Sequence, residues 1–554
     1  MEPRPSHQHQ YLVAIGLGAA LLLLMLGLAA ILALAFSGEG RLLGGIDERT
    51  GYVLRSALIQ ASLSVLFSLF LAIPSSIALN RTAGWRWTRM MRMMLGLALV
   101  IPTTVAAGGL IAIWGRKGLL ASLCEPLFDM SGCGNITIYG LHGVILAHMF
   151  FNVPLLIRIF LPQLEAIPAA HHRLASQLNI TGVARFRHIE WPQIRSAIPA
   201  SALLVFLFCF TSFSLVLMLG GGPKVTTMEV EIYAAIRFSF DLVAASGLSL
   251  LQFACAALVV SVIAILNRKQ PLVRTTQDMS LNLAETWSKS ERSPLSFWIV
   301  LVHGLLGFLI ILPVAMVIIK GLDPALAMVM ERPIFWRALT TSLSIAIGSA
   351  IAVTSLAFVL AGARSGLIMR QQTSAPRKSI ALVVLDGGIM LYLVIPAIVL
   401  GTSAFILLRS AGDVFAAAWM VVVAANTLLA LPLAVRVLEP RMTRLFRQQD
   451  RLALMLGIDG MARWRMITLP LLEREIGLIL GLSAALSVGD LGVIALFASQ
   501  HFQTLPWMLY QATGRYAGDE AAALALLLLG VTVFLLMAGK SAARLFRFME
   551  KVHA

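Results

Sequence analysis

The chain has 554 residues, 59% of them hydrophobic and only 13% charged, with a mean hydropathy of +0.87. Those values exclude an ordinary soluble domain and point to an all-α polytopic membrane protein. The net charge of +16 would suggest nucleic acid in a soluble chain; here it is a question of which membrane face carries the charge, and no nucleic-acid partner is expected.

A helix needs about 20 apolar residues to cross the hydrocarbon core. Twelve segments meet that need, at 11–36, 58–79, 93–115, 141–162, 197–220, 243–266, 297–319, 338–363, 380–407, 414–438, 475–497 and 521–539. The first is too long for a signal peptide and lacks a small-residue cleavage site after it, so it reads as a retained helix. With the N-terminus inside and the spans alternating, cytoplasmic segments hold 31 of the 43 Lys and Arg residues and outer loops the other 12. That bias puts both termini in the cytoplasm.

The chain repeats itself. Spans two and eight carry Ser-Leu-Ser, at 62–64 and 342–344. Spans three and nine carry Ile101-Pro102 and Ile395-Pro396, and spans four and ten end in Pro154/Arg158 and Pro432/Arg436. Two basic stretches follow, RLASQLNITGVARFRHIEWP from Arg173 and RLALMLGIDGMARWRMITLP from Arg451, identical at 11 of 20 positions and 278 residues apart. Beyond the next span, each copy has an outer loop with Thr227/Tyr233 or Thr504/Tyr510. Six spans separate the copies, so the duplication is parallel: a first half over 1–266, a polar linker over 267–296 and a second half over 297–554. Such halves pack about a pseudo-two-fold axis along the membrane normal, with a pathway between them.

In the second stretch Arg451–Leu456 has helical composition, Gly457, Asp459 and Gly460 supply a turn, and a short helix runs from Met461 until Pro470 ends it. Arg463 and Arg465 flank Trp464, as Arg185 and Arg187 flank Phe186 before Pro192 in the first stretch. An exposed aromatic between arginines suits a protein contact. A loop that only sets topology and touches anionic lipid needs arginine, but not a glycine at a set distance before a proline.

These stretches resemble the EAA loops of permease subunits of binding-protein-dependent ABC importers. Glu165, Ala166, Ala175, Gly182, Ile189 and Pro192 match the loop pattern in the first half, and Ala453, Gly457, Ile467 and Pro470 in the second. Asn179 stands where the second loop has Gly457, and asparagine tolerates the left-handed backbone that such a turn needs. Thr443 stands opposite Glu165. Trp114–Ala121, Tyr139–Asn152, Leu219–Thr227 and Ser487–Phe497 are more specific: they resemble the fused permease of the bacterial thiamine importer, across nearly the whole chain. Fused ferric-iron permeases share this architecture. An ion-coupled secondary transporter would not need paired basic loops and would usually carry more intramembrane charge.

The resemblance implies two tandem six-helix halves of the type I, MetI-like fold in a bacterial inner membrane. It implies two copies of an ABC ATPase, one per loop, which bind ATP and Mg, and a periplasmic substrate-binding protein on the outer face. The cargo would be thiamine or a phosphate ester of it. The ATPase-coupling residues would be Glu165, Ala166, Ala175, Asn179, Gly182, Arg185, Phe186, Arg187 and Pro192, with Ala453, Gly457, Gly460, Arg463, Trp464, Arg465 and Pro470.

No catalytic group, cofactor site or metal-ligand spacing is legible. Gly539-Lys-Ser541 resembles the end of a P-loop, but Phe534 stands where the first glycine belongs and the segment closes an apolar helix. His148 and His303 read as core residues, and His171-His172 as solvated. Asp490 lies in span eleven with Ser212 opposite it in the first half. A carboxylate at that depth needs a cavity or a partner; it is either a hydrogen-bonded packing residue or a pathway residue that favours a cation. Gly220–Gly222 and Ser499–Leu505 are outer surfaces suited to the binding protein. Cys124 and Cys133 share an outer loop and are either bonded or free.

Overall fold

The computed structural model describes residues 7–37, 48–115, 118–124, 137–220, 222, 225–267, 297–372, 380–409, 412–456, 458 and 460–553. Among these there are helices and no strand. Cys133, Gly457 and all of the expected linker beyond Asn267 lie outside the described residues.

Eight described helices are long and apolar enough to cross a membrane: Tyr11–Phe36, Glu48–Arg81, Leu141–Glu165, Leu242–Leu266, Phe297–Gly321, Pro333–Met369, Ala418–Gln449 and Gly518–Ala542. Counting three bent pairs as one span each brings the total to eleven, where the sequence suggested twelve. The pairs are Arg86–Ala98 with the helix starting at Thr103, Gly182–Ile194 with Ile198–Phe210 (65°), and Ile380–Val394 with Ala397–Arg409 (98°). The segment outside this count, 475–497, is helix Leu469–Val488, which stops at Gly489 and resumes as Gly492–Phe497. Glu473, Arg474 and Glu475 occupy its first turns, which shortens its apolar run.

Two of the bends follow from proline. Pro102 and Pro396 have no N–H, and each pushes the residue before it out of the helical region, so one helix ends and another starts beyond the ring. Pro102 accordingly caps helix Thr103–Trp114 with φ −55° and ψ 140°.

The outer surface is what a bilayer would solvate. Leu66, Phe70, Leu258, Ile351, Met420, Phe534 and Met537 are all well exposed. Polar side chains lie inside instead, where hydrogen bonds between helices satisfy them. His148 contacts Gln60 and Ser64 at 2.8 and 3.0 Å, and Asn152 donates to the Cys209 sulfur at 3.0 Å. The positions 278 residues on from His148 and Cys209 are Asn426 and Ser487; Asn426 donates to Ser487 (2.8 Å), which donates to Ser349 (3.2 Å). His303 contacts the Ile299 carbonyl at 2.8 Å. Both histidines are core residues.

The 278-residue spacing holds for burial as well as for sequence. Ser64 and Ser342 are buried, Ser62 and Ser344 exposed. The two Ser-Leu-Ser motifs are therefore two residues out of register: Ser342 corresponds to Ser64, not Ser62. Glu48–Arg81 packs along Leu141–Glu165 as Pro333–Gln372 packs along Ala418–Met455. The lead helix of each copy also lies on the other copy. His7–Ser37 packs on Pro333–Gln372 and Ile380–Val394, and Phe297–Gly321 packs on Glu48–Arg81 and Thr103–Trp114.

Candidate coupling loops and a candidate pathway residue

In the first basic loop helix Ala169–Gln177 ends in a Schellman pattern. The Asn179 N–H donates to the Ser176 carbonyl and the Ile180 N–H to the Ala175 carbonyl, at 3.2 and 2.8 Å. Closing that ring needs a left-handed residue, and Asn179 takes it with φ +51°. In the second loop the Ile458 N–H donates to the Ala453 carbonyl at 2.9 Å, which is the same bond. Ala175 and Ala453 are both buried under their turns, where a larger side chain would not fit.

Each loop then forms a short helix, Gly182–Arg185 or Gly460–Arg463, followed by one π turn, Phe186–Glu190 or Trp464–Thr468. Proline explains the wide turn. Pro192 and Pro470 cannot donate to the carbonyl four residues back and their rings press against it. The ladder widens, and the Trp191 and Leu469 N–H groups reach the Phe186 and Trp464 carbonyls instead. π turns of this kind recur at functional sites.

The aromatics are not the exposed contacts that the sequence suggested. Phe186 is half-buried against Trp191, with ring centroids 5.8 Å apart, and Trp464 against Phe358, at 5.1 Å. Arg185 is largely covered and Arg463 is buried. These residues hold the loops to the helices behind them. The exposed surface includes aliphatic side chains: Leu178 and Val183 are 61% and 80% exposed, and Met455 and Leu456 82% and 62%. Arg187 and Arg465 are exposed beside them. Exposed aliphatic side chains at a loop tip, next to arginines, are the composition of a protein-docking patch.

Glu165 and Ala166 end the helix ahead of the first loop, and the Glu165 carboxylate turns back to Arg92 at 2.6 Å. Opposite it, Thr443 donates to Ser365 at 2.9 Å. The second copy makes its ionic tether one turn earlier: Arg364 pairs with Glu439 at 2.5 Å and with Asp386 at 2.7 Å. In both copies the helix that leads into the loop is thus tied to the helix before the Ile-Pro break.

Asp490 sits in the break between Leu469–Val488 and Gly492–Phe497. Its Oδ1 accepts from the Gly492 N–H at 3.0 Å, and its buried Oδ2 has no hydrogen-bond partner among the described residues. The break touches both Ile-Pro breaks. A Cβ at Gly489 would fall 2.8 Å from Pro102 Cβ, and one at Gly492 3.4 Å from Ala397 Cβ. Ser212 occupies the equivalent break in the first copy, where its carbonyl accepts from Thr227. Glu229, which the sequence does not single out, is buried beside this region. It accepts from Gln252 at 3.0 Å. It falls in the outer loop expected between the spans at 197–220 and 243–266, where a carboxylate is ordinary.

No family model matches the chain. It is 37% identical over 521 residues to the thiamine transport system permease protein ThiP of Brucella abortus (strain 2308), covering 93% of this chain and 92% of the relative. It is 35% identical over 487 residues to the protein of the same name from Escherichia coli (strain K12), covering 87% of each. The chain belongs to the thiamine transport system permease family. Similarity to a ferric transport system permease protein of Haemophilus influenzae is 26% over 173 residues, which is 31% of this chain. The permease likeness therefore runs through nearly all of this multi-pass membrane protein, and the ferric likeness does not.

Within this family member the loop residues Ala175, Asn179, Ala453 and the two prolines have structural roles. Gly182 takes φ +56° with open space around it, so backbone conformation is what favours glycine there. Gly460 opens its short helix. Gly539-Lys540-Ser541 lies inside helix Gly518–His553, and a Cβ at Gly539 would fall 2.4 Å from the Gly481 backbone nitrogen. That glycine lets two helices touch.

Proposed function

We propose that this chain is the transmembrane subunit of an ATP-driven importer that carries thiamine, or a phosphate ester of it, across the inner membrane. Two tandem six-helix halves of the type I, MetI-like fold make up twelve spans around a central pathway, with both termini in the cytoplasm. The chain does no covalent chemistry and binds no cofactor. ATP and Mg bind to two ATPase subunits, one docked on each basic loop, and a periplasmic binding protein delivers cargo to the outer face. Closure of the ATPase pair moves the loops and switches the pathway between outward and inward access.

The observation that carries this reading is the pair of loops. Both keep the Ala-to-Ile hydrogen bond and the π turn before a proline, and both expose aliphatic side chains. The thiamine permease relatives, aligned over most of their length, support the cargo. Asp490, with a buried carboxylate oxygen that has no hydrogen-bond partner among the described residues, favours a cation in the pathway, and thiamine is one.

Docking is tested by Leu178→Asp and Leu456→Asp. Both side chains are exposed, so the fold survives the change. A charge at each apolar contact is expected to release the ATPase subunits during purification. ATPase that stays bound in full to the double variant would overturn the docking assignment.

A further inference from the structure

The two loops are fastened in different ways. Glu190, at the end of the first π turn, is fully buried. Its two carboxylate oxygens accept from Arg81 Nε and Nη2 at 2.9 and 2.7 Å, a two-pronged pairing that fixes direction as well as distance. Arg185 Nε lies 3.6 Å from the same carboxylate, and Arg185 Nη2 is 3.2 Å from His172 Nδ1. Arg81 is the last residue of Glu48–Arg81, and its guanidinium lies 5.6 Å over the ring of Trp298, at the start of Phe297–Gly321. One carboxylate thus joins the first loop, a spanning helix of the first copy and the lead helix of the second.

The equivalent positions in the second loop do not carry this pair. Adding 278 turns Glu190 into Thr468 and Arg81 into Val359. There Trp464 packs against Phe358, and Arg463 is buried. A buried two-pronged ion pair cannot loosen without stranding a charge away from water.

We propose that Glu190 is a positioning residue for transport. It makes the first loop rigid with Arg81, so that displacement of this loop moves spanning helices of both copies together. The proposal rests on the reading of the loops as ATPase-docking elements, and the test separates the two.

The experiment reconstitutes the full complex in vesicles and measures labelled thiamine moved per ATP hydrolysed, normalised to assembled complexes. Glu190→Gln is expected to keep its ATPase bound and hydrolysing while thiamine moved per ATP falls about tenfold, the scale on which a residue within a coupling network acts. Thr468→Val, at the equivalent place in the second loop, is expected to leave that ratio within about twofold. If Glu190→Gln fails to assemble, Arg81→Lys keeps the charge, loses the two-pronged contact and is read in the same way. A merely structural role would lower the yield of Glu190→Gln complexes and leave the ratio unchanged; that result overturns the proposal. Complexes of the Leu178→Asp/Leu456→Asp double variant that retain their ATPase in full would overturn the docking reading itself, whatever Glu190 does.

Discussion

Asn179 shows how far a single residue can be read from sequence. Its place in the repeat requires a left-handed backbone, and it has φ +51°. Asn179→Gly should therefore be neutral or slightly stabilising. Asn179→Val should cost about 1–2 kcal/mol, because a β-branched side chain clashes in that region. Thermal unfolding in detergent would show the difference as a drop in midpoint for valine alone. Phe186 and Trp464 are less legible. An aromatic between two arginines reads as a contact, but sequence does not say which side of a short helix meets the helix behind it. Asp490 stands out because it is charged within an apolar span. Glu229 does not, because it falls in an expected outer loop, where a carboxylate is ordinary. Asp490→Asn is expected to lower thiamine uptake about tenfold, about 1.4 kcal/mol of lost cation preference, with the ATPase still bound. Uptake kinetics on assembled complexes would check this, and an unchanged rate would make Asp490 a packing residue.

At the scale of elements, the breaks matter most. The Ile101-Pro102 and Ile395-Pro396 motifs are visible in sequence, but not that they break their spans, since Pro74, Pro154, Pro313 and Pro432 lie inside continuous helices. The break at Gly489–Leu491 is hidden in a segment that looks like one span. What fixes it is the close approach of Pro102 to Gly489, a contact between segments far apart in sequence. Gly489→Ala would put a methyl group 2.8 Å from the proline ring. It should destabilise the protein by about 1–3 kcal/mol, as overpacking does, and slow transport. At Gly247 a Cβ would meet no atom within 4 Å, so Gly247→Ala is the control and should change neither. Equal thermal midpoints for the two variants would mean that the break is loose enough to absorb the methyl.

For the whole molecule, the duplication is legible from spacing alone, while the exchange of lead helices is not. In a bilayer a lipid-facing residue and a helix-facing residue are both apolar, so hydropathy cannot tell which neighbour a span will choose. The exchange has a consequence. Residues 1–266 and 297–554, expressed as separate chains, are expected to co-purify, and removal of His7–Ser37 should weaken their association. Halves that purify apart would argue against the exchanged packing.

The most direct test of the central claim is uptake of labelled thiamine at low external concentration, in cells that lack this chain and in cells with it restored. Loss on deletion and recovery on restoration is the predicted result. Uptake that is unchanged by deletion, in cells with no second thiamine importer, would contradict thiamine as the cargo.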